Sequence, residues 1–237
     1  SIRRLLPSDC ELWEDAAHAF GASYVDPLGV VGSNEDATAS IFSFHPSKTI
    51  SSAEGGCLVS SDHKIADAAR SLRDNGLIRT KGSKFDPYEK IYSGGSNYRM
   101  SELHASIGKS QLSQITRILE YRRGLARAYQ SNLEKVLRVS CSSREILARS
   151  SNHLFIAHLP DASVRAHVDK ELSKRKIHCS FHYKPLHTMK LYSPTEDARN
   201  FPGAEAYKNT AISLPLHLKM TNSDVDEICD VIKRVVE

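Results

Sequence analysis

The segment Ser43-Phe-His-Pro-Ser-Lys48-Thr-Ile-Ser-Ser-Ala-Glu54-Gly55-Gly56 sets a lysine in the connection between two short apolar runs, ASIFSF at 39–44 and GCLVSS at 56–61. A lysine on a turn after a buried strand is poorly placed for a plain surface charge. Desolvation there would lower its ammonium pKa, which is what an amine attacking a carbonyl requires. Ser43 offers a hydroxyl that can donate to a phosphate, and Gly55 and Gly56 let backbone pack close to whatever sits there. Taken by residue type alone, a lysine is far more often solvated than catalytic. The weight therefore rests on the whole motif.

A second group is Trp13-Glu14-Asp15-Ala16-Ala17-His18, with Asp15 at the carboxyl end of the first apolar run. Ligands in open α/β sheets gather at that edge. A carboxylate there can pair with a ring nitrogen and keep it protonated, the arrangement that makes a pyridoxal ring an electron sink. The alternative is a helix N-cap, since Asp15 precedes Ala16-Ala17-His18-Ala19.

The elements that must hold these residues read as an α/β layer. CELW, ASIFSF and GCLVSS are strand-like, and Ser61 or Asp62 then caps a helix with Ile65, Ala68, Ala69 and Leu72 on one face and Gly76 as its left-handed stop. The stretch from about Leu77 to Arg99, rich in Gly, Ser, Lys and Tyr, reads as a long loop and so as a functional segment. From Ser101 a long, interrupted helix joins two domains, 1–115 and 116–237. Beyond it, strand-like runs at 137–141, 153–159, 179–183 and 211–215 surround a helix at about 163–175, and a last helix opens with Thr221 and Asp224 as a capping pair. The second domain is a smaller α+β unit.

Composition bounds the function classes. The 237 residues are 40% hydrophobic and 25% charged, enough apolar material for a real core, and the net charge of +4 is scattered and not gathered in one basic block. That gives no nucleic-acid signature. The five cysteines include no C-x-x-C pair that would suggest zinc or a redox centre, and no metal site is expected. A reducing, cytoplasmic setting is the default. No apolar run reaches the roughly 20 residues of a membrane span. The start SIRRLLPSDCELWED lacks the pattern of a signal peptide, and its opening on Ser1 suggests a fragment.

Four blocks, EDAAHAFGA at 14–22, SFHPSKTISSAEGG at 43–56, SNYRMSELHASIG at 96–108 and FPGAEAYKNTAISLPLHLKMTNSDVD at 201–226, resemble in order the signature blocks of the DegT/DnrJ/StrS family of sugar aminotransferases. The resemblance implies an α/β, aspartate-aminotransferase-like fold (type I of the pyridoxal-phosphate enzymes) with part of a large domain and a small C-terminal domain. It implies a homodimer with active sites at the subunit interface. It makes Lys48 the Schiff-base lysine and proton shuttle, Asp15 the pyridinium partner and His18 the residue beside the ring. Ser43 becomes a phosphate ligand, and Asn97 the residue that reaches the partner subunit's cofactor phosphate. His45 beside the lysine approaches the substrate or is a hydrogen-bonded structural histidine. The segment His182 to His187, followed by Lys190-Leu191-Tyr192, looks like the sugar-contacting loop of the branch that builds pseudaminic acid, placing Tyr183 and His187 near a sugar nucleotide. For either residue a purely structural role stands open.

One branch of the family dehydrates and carries histidine at the lysine position; Lys48 therefore points to transamination. The implied reaction moves an amino group from L-glutamate to the fourth carbon of a UDP-linked 4-keto-6-deoxy sugar, with pyridoxal 5'-phosphate as carrier. The chain departs from the family in lacking its long N-terminal segment, which supplies a phosphate-holding loop and the aromatic group that stacks on the ring. Ser47 and Ser96 replace an apolar and an aromatic residue. Three readings stay open: an aminotransferase completed from elsewhere, an inactive dimerising or binding remnant, and a family enzyme for another sugar.

Overall fold

The computed structural model describes residues 2–25, 29–33, 36–79, 88–91, 94–192 and 198–237. The chain divides into two compact units, Ser1–Ile118 and Leu119–Glu237. Their boundary falls inside a helix.

In the first unit, β1 (Trp13–Asp15) is followed by a small antiparallel ribbon of β2 (Ser23–Tyr24) and β3 (Gly29–Val30). Then β4 (Ala39–Ser43) lies parallel to β1 and antiparallel to β5 (Gly56–Val59), giving the order β1-β4-β5. Asp15 stands opposite Ile41, and Ser43 opposite Gly56. Side chains alternate across a sheet, so Phe42 turns to the face opposite Ile41. There Phe20 meets Phe42 and Phe44 edge-on, with ring centroids 5.2 and 5.6 Å apart. The other face carries Trp13 and Ile41, 45% and 42% exposed.

Helix α1 (His63–Arg73) starts where predicted: the Asp62 carboxylate accepts from the Lys64 amide at 2.8 Å. It stops where Asn75 and Gly76 enter the left-handed region, at φ of 60° and 77°. The expected loop at 77–99 is instead partly an antiparallel ribbon, β6 (Leu77–Arg79) with β7 (Tyr88–Ile91), while 80–87 and 92–93 lie outside the described residues. The apolar pair Leu77-Ile78 was hidden among Gly, Ser and Lys. The chain then returns along the end of α1, where Ser96 and Tyr98 amides donate to the Leu72 and Arg73 carbonyls, each at 2.9 Å. Helix α2 (Glu102–Leu112), capped by Ser101, and helix α3 (Ile115–Leu133) form the interrupted helix of the sequence reading.

The second unit adds β8 (Ser140–Cys141), α4 (Arg144–Arg149), β9 (Phe155–His158), α5 (Ala162–Lys174), α6 (Pro202–Thr210), β10 (Ala211–Leu214) and α7 (Asn222–Val236). Its sheet is antiparallel in the order β10-β9-β8, extended by one bridge between Ser180 and Ser213. The predicted strand at 179–183 therefore pairs at a single point, since beyond it the His182 carbonyl turns away to accept from Tyr207. The core is continuous, from Tyr129 and Leu133 on α3 through Phe155, Val168 and Leu172 to Val225, Ile228 and Ile232 on α7. Tyr129 and Phe155 stack at 4.7 Å. The predicted capping box of α7 is present, with Thr221 and Asp224 bonding each other's backbone. Arg122, on the α3 face turned inward, donates through Nη1 to the carbonyls of Asn152 and Leu216, both at 3.1 Å.

Candidate active site

The Lys48 motif is a closed loop between antiparallel strands. The Phe44 amide donates to the Gly55 carbonyl at 2.8 Å, the Ser52 amide to the Phe44 carbonyl at 3.0 Å, and the Lys48 amide to the His45 carbonyl at 2.9 Å. The two glycines are sterically required. A Cβ on Gly56 would lie 2.6 Å from the Phe42 carbonyl oxygen, and one on Gly55, whose φ is 149°, would lie 2.4 Å from the Met100 Cε. Thus backbone packing closes the loop, and the side chain of Lys48 is left half-buried at its turn. Among the described residues no carboxylate pairs with its ammonium. Its neighbour Thr49 is buried, and the Thr49 hydroxyl has no hydrogen-bond partner among the described residues.

Asp15 ends β1 at the same sheet edge. Because β1 and β4 are parallel and Asp15 stands opposite Ile41, Asp15 and Ser43 lie on one face at the carboxyl ends of adjacent strands. The Asp15 carboxylate accepts from the Ala17 amide at 3.1 Å, and the next element is the strand β2, so it closes a turn and does not cap a helix. This leaves an exposed carboxylate. His18, half-buried, follows on that turn. The fold thus gathers Asp15, His18, Ser43 and Lys48 at one edge of one sheet. Ser43 also receives the His45 amide at 3.4 Å, a long contact. His45 itself is exposed, with Nδ1 2.9 Å from the Ser47 hydroxyl and accepting the Ser47 amide at 3.2 Å. Its observed contacts are therefore local ones.

One residue before Asp15, Glu14 faces the opposite side of the sheet, where it receives the hydroxyls of Tyr24 and Ser40. Burial, then the bond to Glu14, pushes the Tyr24 phenol up to about 12. This contact fixes the strand that carries Asp15 from behind.

Asn97 is exposed and held by a bridge to Asp74, with its Oδ1 accepting from Arg99 Nε at 3.1 Å. Arg99 in turn pairs with Asp74 at 3.1 Å. Following Asn97 in the chain are apolar side chains open to solvent: Tyr98 is 75% exposed, and Leu103 and Ile107, one turn apart on α2, are 76% and 45% exposed. Helix α2 buries none of its own residues.

Tyr183 and His187 belong to the second unit and differ sharply. Tyr183 is 60% exposed, whereas His187 is 8% exposed, stacked on Phe201 at 4.8 Å and bonded through Nε2 to Glu205 at 2.7 Å. The Glu205 carboxyl is held below the usual carboxylate range by Lys208 and by His187. Reasoning from sequence passed over Glu205 and Tyr207. The Pro202 at the first turn of α6 was a usable sign of a helix start.

A family model described as the DegT/DnrJ/EryC1/StrS aminotransferase family matches residues 7–233. Among curated proteins, the UDP-4-amino-4,6-dideoxy-N-acetyl-beta-L-altrosamine transaminase of Campylobacter jejuni is 30% identical over 231 residues, covering 95% of this chain and 58% of that protein. The uncharacterized protein MJ1066 of Methanocaldococcus jannaschii is 30% identical over 96% of this chain and 60% of its own length. Among solved structures, Helicobacter pylori PseC, an aminotransferase involved in the biosynthesis of pseudoaminic acid, superposes with a TM-score of 0.87 at 26% identity, over 99% of this chain and 62% of that one. Spr1654 from Streptococcus pneumoniae in its PLP form gives a TM-score of 0.83 at 27% identity, over 99% and 62%. The chain spans about 60% of the length of the curated relatives it matches.

Proposed function

Because the chain belongs to the DegT/DnrJ/EryC1/StrS aminotransferase family, we propose that it carries the pyridoxal-phosphate chemistry of a sugar-nucleotide aminotransferase, with L-glutamate as amino donor and a UDP-linked 4-keto-6-deoxy sugar as acceptor. The observation that supports this best is the gathering at one sheet edge of Asp15, His18, Ser43 and the Lys48 amine, which no carboxylate among the described residues neutralises.

The residues present fit the cofactor. A carboxylate, an amine without a carboxylate partner among the described residues, a serine hydroxyl and the orphaned buried hydroxyl of Thr49 are the kinds of groups such a ring and its phosphate use. Pyridoxal phosphate, when bound, supplies an electron sink for charge that develops on the amino-acid carbon. Asp15 holds a proton at the ring nitrogen. Lys48 would hold the cofactor's carbonyl through its amine and move a proton between carbon centres. His18 would bind beside the ring, and Ser43 would donate to the phosphate. The activity named for the Campylobacter relative and the structural likeness to PseC support a UDP sugar. The setting is cytoplasmic, which the unpaired state of all five cysteines favours. No helix among the described residues is long and apolar enough to cross a membrane.

The protein acts as a homodimer. Asn97, exposed and followed in the chain by Tyr98, Leu103 and Ile107, reaches the cofactor phosphate of the partner, and those apolar side chains are the surface a second copy covers. Trp13 and Ile41, 45% and 42% exposed on one face of the sheet, are the kind of apolar surface that further polypeptide buries.

The test is the visible spectrum of the chain mixed with pyridoxal phosphate, before and after L-glutamate, with Lys48→Ala as control. A band that glutamate bleaches in the wild type, and that the variant lacks, supports cofactor, lysine and donor together. No band, alone or with the family's N-terminal segment co-expressed, leaves the inactive-remnant reading in its place.

A further inference from the structure

Helix α6 and the residue that precedes it touch the segment 182–187 at three points. The Tyr207 hydroxyl donates to the His182 carbonyl at 2.7 Å, Glu205 Oε1 lies 2.7 Å from His187 Nε2, and Phe201, just before the helix, stacks on the His187 ring within 12° of parallel. A fourth tie comes from β10, where the Ser213 hydroxyl is 2.8 Å from His182 Nδ1. All four of these ties fall on His182 and His187, the two ends of the segment. Between them Tyr183 and Leu186 are 60% and 62% exposed, and Lys184 is exposed as well.

The sheet does not explain this order. Pairing with β10 ends at Ser180, so the five residues that follow Phe181 and precede His187 have no ladder to hold them. The local bonds are those of the turn that closes the segment, where the Thr188 amide and hydroxyl donate to the Pro185 carbonyl at 3.0 and 2.7 Å and the Met189 amide to that of Leu186 at 2.9 Å. A recognition segment left loose must be ordered by its ligand at a cost to affinity, whereas one fixed beforehand is not. Glu205 is itself aimed, since Lys208 Nζ sits 2.9 Å from its second oxygen. The buried His187 is thus an anchor and not a ligand-contacting group.

We infer that α6 is a clamp, with Glu205 and Tyr207 as positioning residues that hold 182–187 in the shape that presents Tyr183 and Lys184 to the nucleotide sugar. This rests on the reading of that segment as the one facing substrate. A helix that merely stabilised the unit would lower stability when altered and leave ligand selectivity untouched.

The experiment is calorimetric titration of the chain, without cofactor, by UDP-N-acetylglucosamine as probe, on the wild type and on Tyr207→Phe, Glu205→Ala and Glu205→Gln. Hydrogen exchange over 182–188 and glutamate bleaching are read in parallel. The clamp predicts a Kd raised about 10-fold or more in Tyr207→Phe and Glu205→Ala. It predicts partial recovery in Glu205→Gln, which keeps an acceptor for His187, along with faster exchange over the segment and unchanged bleaching by glutamate. Equal binding by wild type and all variants, within about twofold, overturns the clamp while leaving the aminotransferase reading intact. A wild type that neither binds the probe nor is bleached by glutamate overturns that reading, and the clamp falls with it.

Discussion

Tyr24 donates its phenolic hydrogen to both carboxylate oxygens of Glu14, at 2.5 and 2.6 Å, and so ties the β2–β3 ribbon to the strand that ends in Asp15. Because the folded-state phenol is raised to about 12, above the unfolded value of about 10, the contact contributes fully below about pH 10. It is lost as pH climbs through about 12. Tyr24→Phe should cost about 1 kcal/mol at pH 8, the low side of a bond to a charged group because the site is partly open. In urea melts the gap between wild type and variant should close as pH passes from about 10 to about 12. A gap that stays constant would show that the phenol is not held this way.

Asp15→Asn separates the chemical role of Asp15 from its structural one. The amide oxygen can still accept from the Ala17 amide, so the turn survives, but no charge remains to hold a proton on a ring nitrogen. Under the proposed function, bleaching by glutamate should slow by at least about 100-fold with little change in melting temperature. Unaltered stopped-flow rates would remove Asp15 from the site.

Gly56→Ala should destabilise the chain by about 2 kcal/mol, since the added methyl meets the Phe42 carbonyl at 2.6 Å and neither backbone can give way without breaking the β4–β5 register. Because Gly56 lies opposite Ser43, cofactor affinity should fall too. Chemical denaturation and a cofactor titration read the two effects separately.

Arg122→Ala should cost about 3 kcal/mol in the second unit, by leaving the carbonyls of Asn152 and Leu216 unsatisfied in a buried site and by opening a void. Burial holds the Arg122 guanidinium below its ordinary range. The Arg122→Lys substitution keeps a cation but gives up the planar fork, so it reaches fewer partners and should recover only part of the loss. Guanidinium melts of the three proteins decide it.

Local signals that act through backbone chemistry were legible from the residues alone. Asp62 capping α1, the left-handed Gly76 and the Thr221–Asp224 box are all short-range, so composition and spacing suffice to place them. What spacing could not show is where long-range contacts override local pattern. The strand-like CSFHY pairs only at Ser180 because Tyr207, 25 residues away in sequence from His182, takes the carbonyl that a ladder would have used. For the same reason His187 read as a loop histidine, although Glu205 and Phe201 bury it. Lys48, Asp15 and Ser43 were candidates from motif and strand order alone. The register that brings Asp15 and Ser43 to one edge needed the fold.

The Lys48 loop is closed by ties within the first unit, and the 182–187 segment by ties within the second. Mutational drift in one leaves the other's supports intact. Under the proposed function, substitutions at the exposed Tyr183 and Lys184 would therefore alter which acceptor binds without touching any of the ties that close the Lys48 loop.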